Sequence, residues 1–167
     1  MKISHDSFDS PVGKIVAYVA DDALIHLDFA DCDARIERLL HRRFGGSQAA
    51  QAENPLEIRD RAAGYFAGDW RAFDDLALNP GGTEFQREVW DGLRRIPAGQ
   101  AISYAALAQS IGRPAAIRAV GRTNALNPIA IAVPCHRVIG KDGTLTGYAG
   151  GLKRKEWLLR HEGALLA

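Results

Sequence analysis

The stretch "SYAALAQSIGRPAAIRAVGRTNA", residues 103–125, contains two short helical patterns separated by a glycine. Ser103 is suited to cap the first helix, and Gly112 is suited to end it. Pro114 fits the first position of a second helix. Because two short helices joined by a tight glycine-containing turn are typical of a helix-turn-helix, this segment predicts a mainly helical region with that motif.

The second predicted helix has two different faces. Ile117, Val120 and Asn124 share one side, and we expect Ile117 to pack inward. The other face combines small residues with two arginines: Ala115, Arg118, Ala119 and Arg122. Small side chains permit close approach, and arginines bind phosphate or enter a groove, so this face is a candidate DNA contact. Helical pairs are also common in proteins that bind no DNA, and the pattern alone leaves that alternative open.

A boundary precedes this region at "LALNPGG", residues 76–82, where four consecutive helix and strand breakers occur. The next segment, "TEFQREVWDGLRRI" (83–96), begins with the capping-box pair Thr83 and Gln86 and predicts a helix. We therefore expect two domains, residues 1–80 and residues 81–167.

The first half of the chain has a different pattern. Three short segments rich in Ile, Val and aromatic residues, at 2–8, 13–20 and 23–30, predict antiparallel hairpins. Apolar residues at helical spacing predict a helix over 33–46, and a second helix is expected from Pro55 to about Phe66. The whole chain is thus predicted to be of the α+β class. The acidic segment "DFADCD" (28–33) is expected to be a solvated turn.

Composition restricts the function classes. The chain has 167 residues, of which 47% are hydrophobic, and its net charge is +1. Residues 1–83 have nine Lys and Arg against 14 Asp and Glu, whereas residues 84–167 have 12 against six. A basic second half indicates a polyanionic partner, although a chance asymmetry would look the same. No apolar segment resembles a signal peptide or a membrane span, and two cysteines make a disulfide framework improbable, so we expect a cytoplasmic protein.

The segment "IAIAVPCHRVIG", residues 129–140, contains the most reactive group of the basic half. Cys135 follows an apolar run and a proline, which suits an inert core thiol as well as a nucleophile. His136 could act as its base, while Arg137 and Lys155 could supply positive charge. A base needs an orienting acid, and the sequence alone does not choose among the candidates Glu84, Glu88, Asp91, Asp142, Glu156 and Glu162. A zinc site is less favoured, because no Cys or His lies at ligand spacing.

The motif "PCHRV" (134–138), together with "FQREVW", "IPAGQAISY", "RAVG" and "KEWLLRHEG", resembles the O6-alkylguanine-DNA alkyltransferase (methylated-DNA–protein-cysteine methyltransferase) family. The resemblance runs from about Thr83 to Gly163, roughly half the chain. It implies a ribonuclease H-like N-terminal α/β domain and a winged-helix-like C-terminal domain. It also implies repair of O6-methylguanine, and less well of O4-methylthymine, by one irreversible transfer per molecule without a cofactor.

The same resemblance implies the roles of the catalytic residues. Cys135 would accept the alkyl group, His136 would be its base through a water, and Glu162 would orient His136. Asn127 resembles the residue that braces the site, and Lys155 occupies the position of a lysine close to it.

Substrate contacts are implied as well. Tyr104 resembles the tyrosine that contacts guanine N3 and displaces a phosphate. Val138 would accept from the guanine amino group through its backbone carbonyl, while Tyr148 and Ala149 would face O6. Arg118 resembles the finger that replaces a flipped nucleotide in the minor groove of double-stranded DNA, with Ala115, Ala119 and Arg122 around it. The family resemblance also leads us to expect a monomer that makes no contact with a membrane.

Two departures concern metal and substrate size. Some members of the family bind zinc in the N-terminal domain, but Cys32, His5, His26 and His41 offer only one thiol here, so no zinc is expected. Differences near the pocket, at Asn124 and Ala130, bear on the size of the alkyl group. Two rival hypotheses remain: a helix-turn-helix regulator with an inert or sensing cysteine, and a cysteine hydrolase that turns over repeatedly.

Overall fold

The computed structural model describes residues 1–164 and divides the chain after Gly81 into unit 1 (Met1–Gly81) and unit 2 (from Gly82). The described strands and helices are, in order, β1 Ile3–Phe8, β2 Ile15–Ala20, β3 Ala23–Phe29, α1 Asp33–Phe44, β4 Ala49–Gln51, α2 Ile58–Phe66, α3 Glu84–Arg94, β5 Ile102–Ser103, α4 Tyr104–Ser110, α5 Ile117–Ala125, β6 Val138–Ile139 and α6 Leu152–His161. The predicted α+β class is confirmed.

Unit 1 is built on a four-stranded sheet in the order β3-β2-β1-β4. The strands β1, β2 and β3 pair antiparallel, as the hairpin patterns predict, whereas β4 pairs parallel with β1 after the chain has passed through α1. Alternating apolar residues of β2 and nearly the whole of β3 are buried, which places the core of this unit on the sheet.

The acidic segment at 28–33 differs from its prediction as a solvated turn. Asp31 and Asp33 are exposed, but Asp28 is almost fully buried. It accepts a 2.6 Å hydrogen bond from Arg35 and lies 3.3 Å from His26 Nε2. The prediction failed because a buried carboxylate is stable once a cation and a hydrogen-bond donor compensate its lost hydration, and the sequence does not show these partners.

Unit 2 begins with the predicted capping box. The backbone N–H of Gln86 donates to Thr83 Oγ1 at 3.1 Å, and the backbone N–H of Thr83 donates to Gln86 Oε1 at 2.9 Å, which satisfies two donors at the start of α3. The helix buries Val89, Trp90 and Leu93. Its tryptophan donates to the backbone carbonyl of Thr123 at 3.0 Å and so joins α3 to α5.

The helix pair at 103–125 forms as predicted in outline, but its second helix starts later. Ser103 caps α4 by accepting from the N–H of Ala106, and Gly112 lies in the left-handed region with φ +74°. The prediction that Pro114 begins the next helix is wrong, because residues 113–116 form a turn and α5 begins at Ile117. Ile117 is 44% exposed, so the prediction that it packs inward is wrong as well.

A short parallel pairing positions the remaining parts of unit 2. Strand β5 pairs with β6 through Ile102 with Val138 and Ser103 with Ile139. The start of α4 therefore lies beside the turn that precedes β6. No helix within residues 1–164 has the length and apolar character needed to cross a bilayer.

Candidate functional site

Cys135 lies in a loop that runs from Asn127 to Val138, and every residue of this loop is buried. Buried backbone groups need partners, and Asn127 supplies several. Its Nδ2 donates to the carbonyls of Val133 at 2.8 Å and Ile129 at 3.3 Å, and its Oδ1 accepts from the N–H of Ile129 at 3.0 Å. Ile131, between them, has φ +69°, which is strained for a β-branched residue. The contacts of Asn127 hold this strained loop in one conformation.

Cys135 begins a single 3-10 turn, Cys135–Arg137, and is 7% exposed. Its backbone carbonyl accepts from Nδ2 of Asn124, on α5, at 3.4 Å. Asn124 is itself buried, and its Oδ1 has no hydrogen-bond partner among residues 1–164. The peptide of Cys135 is thus tied to α5, the helix with the candidate DNA-contacting face.

His136 and Glu162 form a buried pair at the other side of this turn. His136 Nε2 lies 2.9 Å from Glu162 Oε2, and neither side chain is accessible to solvent. Because a carboxylate only accepts, Nε2 must be the protonated nitrogen, and this tautomer leaves Nδ1 with its lone pair. Nδ1 is buried and has no hydrogen-bond partner within the described part of the chain. The imidazole is therefore oriented by Glu162 and keeps one basic nitrogen available.

Arg137 completes the group, and the sequence did not reveal its role beyond a source of positive charge. Its Nε donates to Glu162 Oε1 at 2.8 Å and its Nη2 to Glu162 Oε2 at 2.9 Å. A third bond runs from Nη1 to the backbone carbonyl of Ile96 at 2.6 Å. The planar guanidinium therefore binds the carboxylate in a two-pronged arrangement, the strongest form of such a pair.

Burial and these hydrogen bonds determine the protonation states of His136 and Glu162. Burial raises the pKa of Glu162, but the hydrogen bonds from His136 and Arg137 outweigh it and lower the pKa to about 2. Burial lowers the pKa of His136; Glu162 opposes this, and the positive charges of Arg137 and Lys155 reinforce it. At neutral pH the group accordingly consists of a neutral imidazole, a carboxylate and a guanidinium.

Helix α6 places a second cation in the site. Lys155 is fully buried, and its Nζ donates to the carbonyls of Val138 at 2.6 Å and Thr146 at 3.0 Å. Burial lowers the pKa of Lys155 to about 8, and the nearby Cys135 acts in the opposite direction. Glu162 directly follows the last residue of α6 and is seven residues, about two helical turns, after Lys155, so both side chains lie on the same side and reach the same site.

The expected substrate-contact residues lie around this group. The hydroxyl of Tyr104, at the start of α4, is 2.9 Å from Thr146 Oγ1. The carbonyl of Val138, expected to receive a guanine amino group, already accepts from Lys155. Tyr148 is half-buried and Ala149 is exposed on the loop between β6 and α6.

The expected DNA-contacting residues lie on one stretch around α5. Arg118 and Arg122 are exposed on the helix, and Ala119 is half-buried. Ala115 is exposed in the turn that precedes α5, so it does not belong to the helix face on which the sequence pattern had put it. Loss of one helical turn at the start of α5 explains the difference.

No group of three or more His, Cys, Asp or Glu side chains within residues 1–164 is arranged to hold a metal ion. The expectation that no zinc is required stays a prediction.

Two kinds of comparison relate the chain to known proteins. The family model described as 6-O-methylguanine DNA methyltransferase, DNA binding domain, matches residues 84–164. Among solved structures, the OGT of Mycobacterium tuberculosis in complex with DNA has a TM-score of 0.81 and 37% identity, with 96% of this chain and 92% of that chain covered. Fold and family model together define the class, the DNA alkyltransferases.

Full-length relatives define the family. The methylated-DNA–protein-cysteine methyltransferase of Salmonella typhimurium is 58% identical, with 99% of each chain covered. The protein of the same name from Shigella flexneri is 46% identical, again with 99% of each chain covered. The chain belongs to the methylated-DNA–protein-cysteine methyltransferase family, as the resemblance of its motifs predicted.

Proposed function

We propose that this chain repairs DNA by moving the alkyl group of O6-methylguanine, and less readily that of O4-methylthymine, onto Cys135 in a single irreversible turnover. The observation that supports the proposal best is that the residue next to Cys135 is an imidazole oriented by Glu162, while the buried ammonium of Lys155 interacts electrostatically with Cys135. Repair by alkyl transfer to a cysteine is the activity of the family.

The first step is removal of the thiol proton. His136 donates Nε2–H to Glu162 and accepts through Nδ1, so a water between Nδ1 and the thiol would carry the proton to the imidazole. The imidazolium that forms is stabilised by Glu162, which Arg137 holds in place. Lys155 favours the thiolate because its ammonium, which is charged below about pH 8, interacts electrostatically with Cys135.

In the second step the thiolate sulfur attacks the alkyl carbon in line with the C–O bond. The S–C bond forms, the C–O bond to O6 breaks, and guanine leaves with the electron pair of that bond. Hydrogen-bond donors near N3 and O6 limit the charge on the departing base, which is the role we assign to the Tyr104 hydroxyl and to the backbone N–H of Ala149. The thioether does not hydrolyse, and the chain therefore acts once.

Access to the lesion requires the nucleotide to leave the base stack. We propose that Arg118 fills the space in the stack that the flipped nucleotide leaves. Ala115 and Ala119 permit close approach of the helix to the minor groove, and Arg122 binds phosphate. The carbonyl of Val138, with Tyr148 and Ala149, would line the pocket for the flipped base. Asn127 acts indirectly by holding the acceptor loop.

We also propose a fold type for each unit, the domain boundaries, the oligomeric state and the cellular compartment. Three antiparallel strands, a helix and a fourth strand parallel to the first support a ribonuclease H-like fold for unit 1. The succession α3, α4 and α5 beside the β5–β6 pair supports a winged-helix-like fold for unit 2. We place residues 1–80 and 81–167 in separate domains and expect a monomer. A reducing cytoplasm suits an acceptor that must remain a thiol.

One experiment tests the proposal against both rivals. The protein is incubated with a duplex oligonucleotide that has one O6-methylguanine, and intact and peptide masses are then measured. We expect one added methyl group, located on Cys135, and loss of lesion equal in amount to the protein. Cys32→Ser, a substitution of the other cysteine, is the matched control and should react like wild type, whereas Cys135→Ser should not react. A persisting lesion with unmodified Cys135 would support the regulator, and repeated turnover would support the hydrolase.

A further inference from the structure

The first turn of α5 presents a large aliphatic side chain to solvent. Ile117 is 44% exposed, whereas Val120, one turn later on the same face, is fully buried. Within residues 1–164 the exposed large hydrophobic residues are Met1, Trp70, Ile117, Leu126 and Leu152. Of these five residues, only Ile117 is adjacent in sequence to Arg118. In the proposed function, Arg118 fills the place in the base stack that the flipped nucleotide leaves.

Backbone geometry explains the exposure. Residues 113–116 form a turn closed by the N–H of Ala116 on the carbonyl of Arg113, and Ala116 has no side chain that caps α5. Residues 113–115 of this turn are exposed, and so is Ile117 itself. The start of α5 is therefore exposed on unit 2, and an apolar residue there lacks the stabilisation that burial would provide.

We propose that Ile117 is an apolar wedge that enters double-stranded DNA beside Arg118 and packs against the base pair next to the flipped nucleotide. The inference rests on the proposed function, because it takes α5 as the element that meets the duplex. Proteins that bind the minor groove insert isoleucine and similar side chains at base steps, partly unstack them and bend the duplex.

The surroundings of Ile117 fit DNA better than a protein partner. Arg118 and Arg122 are exposed on the same helix, and Ala115 and Ala119 are small enough to let the backbone approach. A surface that combines cations, small residues and one protruding aliphatic side chain complements phosphates on either side of a groove. Successive residues of a helix point about 100° apart, so Ile117 and Arg118 leave the first turn of α5 in different directions. Arg118 can therefore fill the place of the flipped nucleotide while Ile117 contacts the neighbouring base pair.

The wedge has a distinctive consequence. It acts only where stacked base pairs must be separated, so it contributes to repair of a duplex and not to reaction with a base in solution. The test compares Ile117→Ala, Ile117→Leu and Arg118→Ala with wild type. The matched control is Leu126→Ala, which truncates an aliphatic side chain of similar exposure (37%) directly after the last residue of the same helix.

Three methyl-transfer rates are measured for each protein: from O6-methylguanine in duplex DNA, from the same lesion in a single strand, and from O6-methylguanine as the free base. We expect Ile117→Ala to slow duplex repair about tenfold and to leave the free-base rate within about twofold of wild type. Ile117→Leu should retain the duplex rate, and Leu126→Ala should behave as wild type. Fluorescence of 2-aminopurine next to the lesion should rise less with Ile117→Ala, because less unstacking occurs.

The outcomes separate this inference from the proposed function. If wild type transfers the methyl group and Arg118→Ala is impaired in duplex DNA, but Ile117→Ala matches Leu126→Ala, the wedge is overturned and the proposed function stands. Equal slowing of all three rates by Ile117→Ala would also overturn it, because the residue would then support the fold. If Cys135 of the wild-type protein remained unmodified, the proposed function itself would be wrong.

Discussion

Arg137 donates to both carboxylate oxygens of Glu162, through Nε at 2.8 Å and Nη2 at 2.9 Å, and the same carboxylate accepts from His136 at 2.9 Å. One buried acid therefore serves two donors, one charged and one neutral. Burial lowers the pKa of His136 and keeps the imidazole neutral although a carboxylate lies beside it, and the positive charge of Arg137 reinforces this effect. Arg137, the residue that follows the histidine in sequence, thus helps to keep that histidine in its basic form.

Removal of Arg137 should expose this dependence. Arg137→Met keeps much of the side-chain volume but leaves the Glu162 carboxylate buried without its cation, which costs about 3–5 kcal/mol of the free energy of unfolding. It should also raise the pKa of His136 and slow alkyl transfer at neutral pH, because more imidazole is protonated. Urea unfolding and the rate of free-base alkyl transfer measure the two effects.

The control for this substitution lies on α6. Arg160 pairs with Glu156 at 3.0 Å on the surface, with 63% of the arginine side chain exposed. Arg160→Met should change the free energy of unfolding by at most about 0.5 kcal/mol. If both substitutions changed the free energy of unfolding equally, the buried pair of Arg137 and Glu162 would stabilise the fold no more than the surface pair does.

The depressed pKa of Glu162 predicts a pH dependence of stability. The ordinary value of 4.5 falls to about 2 on folding, so the unfolded chain binds the proton more readily than the folded chain. The stabilisation, about 3 kcal/mol, is therefore complete above about pH 4.5 and is lost as the pH falls toward 2. Wild type and Glu162→Gln should differ most in urea unfolding at neutral pH and converge in acid. A difference that stays constant from pH 6 to 3 would contradict the assignment.

Lys155 should support the thiolate of Cys135 electrostatically. Lys155→Met removes a cation near the sulfur, so the pH at which free-base alkyl transfer reaches half its maximum should rise by about one unit. Lys153→Met, a substitution of an exposed lysine on the same helix, is the control and should leave the profile unchanged. Coincident profiles for Lys155→Met and wild type would refute the electrostatic role and leave only the hydrogen bonds to Val138 and Thr146.

Gly92 reports on the packing of α3 against α4. A Cβ added there would lie 2.7 Å from Cγ2 of Ile111 and 3.2 Å from Cδ1 of Leu107. Although alanine favours a helix over glycine by about 1 kcal/mol, this clash should reverse the sign, and Gly92→Ala should lower the free energy of unfolding by about 1–3 kcal/mol. Gly121→Ala on α5 meets only Tyr104, at 3.8 Å, and should not destabilise the chain. A calorimetric comparison of the two variants checks both signs.

Local signals in the sequence predicted most of the secondary structure. The capping box of Thr83 and Gln86, the cap at Ser103 and the hairpin strands of unit 1 all depend on residues close in sequence, and the structure confirms them. Strand β4 was missed because its three residues have no recognisable pattern and pair with a strand more than 40 residues earlier. The late start of α5 was missed because Pro114 is equally suited to a turn.

The sequence predicted only those residues of the site that belong to the family motifs. The resemblance pointed to Cys135, His136 and Glu162, and the last two are paired in the structure. Three contributions were not predicted from the sequence: Arg137 as the partner of Glu162, Asn124 as a donor to the carbonyl of Cys135, and Thr146 as a partner of Tyr104 and Lys155. Each depends on a contact between distant residues or on the direction of a side chain, which residue types alone do not specify.

The loop from Asn127 to Val138 has a consequence for the motions of the protein. Irregular loops usually open independently of the elements that they join, and their amide protons then exchange quickly. Here one asparagine side chain closes the loop on itself around the strained Ile131, and every residue of the loop is buried. Its amide protons should therefore exchange only together with those of the surrounding helices, so that the proposed acceptor thiol lies on a slowly opening part of unit 2.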